Sequence, residues 1–166
     1  MKRYGIVLGV AVLALVVIGA WLVVGGGLSF LTPNHDGMVN GTVWVANEGG
    51  NSITAIDANT NQVLTTLNGI EGPHNLQVAP DGKSVWAVSG HESLAVMIDA
   101  AAYQVHGTVP TGKETAHIVL TPNGKTAYAT NGGDNTVTAI DVATMKAIAT
   151  IPAGKYPHGL RPSPDG

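Results

Sequence analysis

The chain has 166 residues, of which 45% are hydrophobic and only 11% charged, with a formal net charge of −3. Six cations and ten acids follow residue 36, with no basic run among them, which argues against a nucleic-acid partner because phosphate binding needs a clustered positive surface. The absence of cysteine excludes disulfides, thiolate zinc sites, CxxCH haem attachment and a lipid-modified N-terminal cysteine.

Residues 1–31 read as a signal anchor or signal peptide. Lys2 and Arg3 precede an uncharged stretch whose apolar and glycine part runs from Ile6 to Gly27. A secretory signal has an apolar region of roughly 7–15 residues and a membrane-spanning helix about 20, so the length favours an uncleaved anchor. Gly25 and Gly27 nevertheless offer a small-x-small cleavage site, and cleavage there would release the rest as a secreted protein. In both cases positive charge before the span places the remainder of the chain on the periplasmic or extracellular face of the cytoplasmic membrane. Residues 32–41 carry Pro33, Asn34, Asp36, Gly37 and Gly41 and read as a tether.

From residue 42 the chain repeats itself. Pro80-Asp81-Gly82, Pro122-Asn123-Gly124 and Pro164-Asp165-Gly166 are spaced by 42 residues. Trp44, Trp86 and Tyr128 keep the same count, as do Asp57, Asp99 and Asp141. Thr42-Val43-Trp44-Val45-Ala46-Asn47, Ser52 to Asp57 and Gln62 to Leu67 are β-branched or aromatic runs separated by Gly and Asn turns, the pattern of an antiparallel meander. A longer connection then leads to a strand starting near His74, Ala116 or His158, which turns at the Pro-Asp-Gly or Pro-Asn-Gly corner into the next aromatic strand. Units fall at 42–83, 84–125 and 126–166. The expected fold is all-β: a β-propeller of four-stranded blades of about 42 residues.

Val43-Trp44-Val45-Ala46-Asn47, Tyr128-Ala129-Thr130-Asn131, Thr138-Ala139-Ile140-Asp141 and Pro157-His158-Gly159-Leu160 through Asp165-Gly166 resemble the YVTN repeat of β-propeller proteins. That family includes archaeal surface-layer proteins and bacterial periplasmic proteins of the YncE-like type. The resemblance covers residues 41–166. It implies a surface or periplasmic binding and scaffold role, with the strand at His74, Ala116 or His158 innermost, facing a central channel. Counting three strands, four, four and one gives twelve, or three blades, whereas propellers have four to eight. The count favours part of a longer propeller, most simply of seven blades, over a homo-oligomer in which a dimer completes a six-bladed ring.

His74 and His158 occupy equivalent positions before the inner strand. In the middle copy that position is Ala116, and strict alternation turns the neighbouring His117 to the opposite face. Converging imidazoles suit a transition metal or an anionic ligand, yet each histidine also has a structural explanation, as a bond to a loop carbonyl, which the break at Ala116 favours. Recurrent Asp57, Asp99 and Asp141 suit turn capping, and Trp44, Trp86 and Tyr128 suit packing, because a turn is needed in every unit and an active site once.

Positions that break the repeat are further candidates: His91 and Glu92 in one loop, as metal ligands or a base pair, with Tyr103, His106, Lys113 and Glu114. No G-x-S-x-G, H-E-x-x-H or phosphate loop is present. The expectation is a membrane-tethered binding module without catalysis of its own, meeting a protein or small ligand at the loop face of His74, His117 and His158, with residues 6–27 in the membrane and no cofactor. The alternative is a metal- or haem-binding redox propeller similar to the haem-binding domain of nitrite reductases. A third reading is a surface-layer role by self-assembly.

Overall fold

The computed structural model describes residues 40–165, so the expected anchor and most of the tether lie outside the described residues. Among those residues no helix is long and apolar enough to cross a membrane. The described residues form eleven strands in three antiparallel sheets. The first contains β1 (Thr42–Asn47), β2 (Ser52–Asp57) and β3 (Val63–Asn68), in that order. The second runs β4 (Pro73–Val78), β5 (Ser84–Ser89), β6 (Leu94–Asp99) and β7 (Gln104–Pro110). The third runs β8 (Thr115–Leu120), β9 (Thr126–Asn131), β10 (Thr136–Asp141) and β11 (Lys146–Pro152). Within each sheet every strand pairs with its sequence neighbour, as short Gly, Asn and Asp turns require.

The backbone repeats more faithfully than the side chains. Left-handed φ recurs at Asn51, Ser93 and Asn135, at Asn61, Tyr103 and Met145, and at Gly72, Glu114 and Tyr156. A non-glycine residue there is strained, and local hydrogen bonds must offset the cost. At the second of these positions the bonds are visible. Asp57 Oδ1 accepts from the amides of Asn59 (2.9 Å) and Thr60 (2.7 Å), Asp99 Oδ1 from Ala101 (2.9 Å) and Ala102 (2.8 Å), and Asp141 Oδ1 from Thr144 (2.7 Å). Each carboxylate closes the turn that carries the strained residue.

The central sheet shows why the fold needs neighbours. Along β5, Val85 and Ala87 point to one face and Trp86 and Val88 to the other, and every residue of the strand is buried. Val85 and Ala87 join Trp44, Ile53, Ala55, Ile70, Val96 and Ile98 in one core layer against the first sheet. Trp86 and Val88 join Ile118, Leu120, Ala127, Ala129 and Ile140 in a second layer against the third. Trp44 stacks on Tyr103 across the first layer at 5.5 Å between ring centroids, so Tyr103 is a packing residue. Trp86 has no exposed surface.

The twelfth strand expected near His158 does not form. The segment from residue 153 to 163 is irregular, because no described strand offers it a ladder partner. It is held instead at single points: the Tyr156 amide donates to Asn135 Oδ1 at 2.8 Å, and the Thr130 hydroxyl donates to the His158 carbonyl at 2.7 Å.

The turn aspartates have a pH consequence. Hydrogen bonds from the turn hold Asp57, Asp99 and Asp141 below the ordinary carboxylate value of 3.8. A depressed folded-state pKa stabilises the fold above about pH 4 and stops doing so as pH falls through the folded value. Urea unfolding midpoints are therefore expected to drop between pH 6 and pH 3. Asp99→Asn, which keeps the acceptor oxygen and loses the charge, should drop less over the same range.

Candidate functional site

The site sits where inner strands of neighbouring sheets meet. β8 pairs with β9 on one side only, leaving the amides of its other edge to find partners elsewhere. Asn75 Oδ1 accepts from the Ile118 amide at 2.9 Å and Gln77 Oε1 from the Leu120 amide at 2.8 Å, so side chains of β4 bond the free edge of β8. Such cover also hides a strand edge that would otherwise pair with another chain.

Three histidines meet as a result of this arrangement. His74 lies on β4 and is exposed, His117 lies on β8 and is half-buried, and His158 lies in the irregular segment after β11, exposed. One ring nitrogen from each falls within 4.8 Å of the other two. Ring centroids are 5.3 Å apart for His74 and His117, 5.1 Å for His74 and His158, and 4.6 Å for His117 and His158.

The expected opposite-face placement of His117 is thus wrong, and a β-bulge is the reason. Pairing in β8 and β9 runs Thr115 to Asn131 and Ile118 to Ala129, three steps along one strand against two along the other. Ala116 and His117 together oppose one residue, which cancels the strict alternation of side chains. β4 carries the same irregularity between Pro73 and Leu76. His117 is the 42-residue counterpart of Asn75 and reaches toward the following unit as Asn75 does.

The surroundings set the protonation. His74 Nδ1 lies 3.2 Å from the Ala116 carbonyl, which can only accept, so in the neutral imidazole Nδ1 carries the proton and Nε2 the lone pair. The structural explanation for the histidines therefore holds for one ring nitrogen of His74. Burial lowers the His117 pKa from its ordinary value of 6.5, and the neighbouring His158, His74 and Arg161 lower it further, in that order.

Thr130 is not evident from the sequence as a site residue. Its buried hydroxyl donates to the His158 carbonyl and accepts from the His117 amide at 3.2 Å, so it fixes two of the three histidine backbones. The available signal is a hydroxyl where the earlier units have Ala46 and Val88.

A cleft of about 340 Å³ opens over His74 and His158, with Glu48, His91, Glu114 and Tyr156 among its other walls. His91 shares this cleft without joining the three ligand nitrogens. Its ring lies over Gly72, where an added Cβ would come within 2.9 Å of it. Glu92 turns away and accepts a hydrogen bond from Ser89 Oγ at 2.9 Å. The Lys113 amide donates to Asp134 Oδ2 at 2.8 Å, and His106 is exposed on β7, in the opposite half of its sheet from His74.

Neither a protein-family profile nor a curated protein sequence matches the chain. Solved structures do. Hydrazine synthase of Kuenenia stuttgartiensis superposes with a TM-score of 0.67 at 26% identity, over 69% of this chain and 33% of that one. Dihydro-heme d1 dehydrogenase NirN, solved in complex with DHE, gives 0.62 at 18% identity, over 68% of this chain and 24% of that one. The WD40 repeats of RRP9 give 0.61 at 17% identity, over 68% and 35%. The three sheets are propeller blades. The chain spans about a third of the first and third of these proteins and about a quarter of the second. The neighbours include a synthase, a dehydrogenase and a set of WD40 repeats, so the fold alone does not select a function.

Truncating exposed histidines separates a binding role from a structural one. His74→Ala with His158→Ala removes one carbonyl hydrogen bond and is expected to cost no more than about 1 kcal/mol, read from urea unfolding. A loss several times larger would assign the imidazoles to blade connection.

Proposed function

We propose that this chain is an exported propeller module of the YVTN kind, tethered through residues 6–27, that binds a ligand at its histidine-bearing inner end and carries no catalysis of its own. The observation that supports it is the meeting of His74, His117 and His158, which come from three successive repeats. Recurrent features such as Asp57, Asp99 and Asp141 serve turns in every unit. The histidines do not follow that logic, since the group includes an out-of-register member and passes over Ala116. Export is supported by Lys2 and Arg3 before the apolar run.

A tetrapyrrole-binding reading draws on the likeness to NirN, whose solved form holds DHE. The imidazoles fit that reading poorly. As the rings stand, centroids 4.6–5.3 Å apart leave no slot for a flat macrocycle between any two of them. The arrangement suits a small ligand held by several imidazoles at once.

Two measurements bear on this. Protease added outside intact spheroplasts should digest the repeat region, and protection of that region until the membrane is lysed would remove the export part. Titration with ferric haem should leave its Soret band as in free solution. A Soret shift that disappears in the His74→Ala, His158→Ala variant would replace this reading with the tetrapyrrole one.

A further inference from the structure

We propose that His74, His117 and His158 form a three-nitrogen site for a divalent transition-metal ion of the zinc and copper class, with the remaining coordination open to water or an exogenous ligand in the adjoining cleft. The inference rests on the ligand-binding reading and names the ligand. Its basis is the donor set: three imidazoles, with no carboxylate in the group. Neutral imidazole suits zinc, copper and nickel, whereas calcium and magnesium require oxygen ligands.

The geometry is close to that of a bound site. Zinc–nitrogen bonds of about 2.0–2.1 Å in a tetrahedral arrangement put ligand nitrogens about 3.3 Å apart. The three here lie within 4.8 Å, so closure by roughly 1.5 Å at most completes the site. Side-chain rotation supplies this, because His74 and His158 are exposed and His158 belongs to a segment outside the ladders. The supporting partners are those a metal-binding imidazole needs. The Ala116 carbonyl fixes the His74 tautomer with Nε2 free, and Thr130 anchors the backbones of His117 and His158.

No fourth His, Cys, Asp or Glu completes the group among the described residues. Three protein ligands with an open position characterise sites that take up a further molecule, whereas closed four-ligand sites are structural. His74 and His158 both face the cleft of about 340 Å³, so the open position has room for one.

The test uses the full chain in detergent micelles, without an affinity tag, stripped with chelator. It is titrated in turn with Co²⁺, followed by visible absorption, with Zn²⁺, followed by calorimetry, and with inorganic phosphate. Imidazole ¹H–¹⁵N resonances are recorded in each titration. The expected result is one ion per chain, the absorption of a four- or five-coordinate cobalt site, and shifts at His74, His117 and His158. His74→Ala and His158→Ala are each expected to weaken zinc binding beyond the roughly 10–100-fold typical of losing a supporting partner. His106→Ala, remote from the site, should leave it unchanged.

Both diagnostic substitutions are at exposed positions, so their failure to bind is readable against an unchanged fold. Absence of binding, or binding indifferent to both variants, overturns the metal site. Imidazoles that respond to phosphate and not to zinc overturn it while leaving the broader ligand-binding reading in place. Imidazoles that respond to neither overturn both.

Discussion

A four-stranded sheet made of short Val, Ile, Ala and Trp runs has two apolar faces, and the molecule depends on covering both of them. β5 shows the constraint most clearly: its side chains alternate between two core layers, and every residue along it is buried. Sheets of this kind are stable only against neighbours, so each unit's fold is inseparable from the next unit's. The repeat of 42 residues allows the same surfaces to meet at each junction, with Trp44 in one layer and Trp86 in the next.

Face-to-face stacking brings inner strands side by side, and the site is a product of that approach. β4 and β8 do not share a ladder, yet Asn75 and Gln77 satisfy amides on the edge of β8. The bulges in β4 and β8 contain His74 and His117 themselves and re-aim these side chains. A feature serving strand closure in every unit thereby acquires a local use. Where one unit carries an amide at the bulge the next carries an imidazole, and the side chain meets the segment after β11.

The electrostatics at His117 favour its neutral form. Half-burial and two neighbouring imidazoles disfavour the charged form of His117, and Arg161 adds to the effect. Glu48 and Glu114 line the cleft opening over the other two histidines. Their carboxylates lie outside the set of converging nitrogens, which leaves imidazole as the only donor type in it.

The strand order within each blade, the turn aspartates and the packing role of Trp44 and Trp86 were legible in the sequence because they rest on short-range rules that recur every 42 residues. Alternation fixes faces, Asp and Asn fix turns, and recurrence exposes both. His74 and His158 were also legible, as members of the same register. His117 was named beside them, but its direction was not legible, because a one-residue bulge reverses the side-chain direction that alternation dictates, and a bulge leaves no compositional mark between Thr115 and Ile118. Thr130 was hidden for a related reason: a hydroxyl in an apolar strand acquires meaning only when a carbonyl from a segment 28 residues away comes within 2.7 Å. The missing twelfth strand belongs here too, since a sequence can prescribe a strand's pattern but not supply the ladder partner that its backbone needs. The sequence by itself determined the repeat, the meander and the turns that join its strands. Only the tertiary structure decided that three imidazoles share one place, because their convergence depends on bulged strands and on edges brought together by the burial of sheet faces.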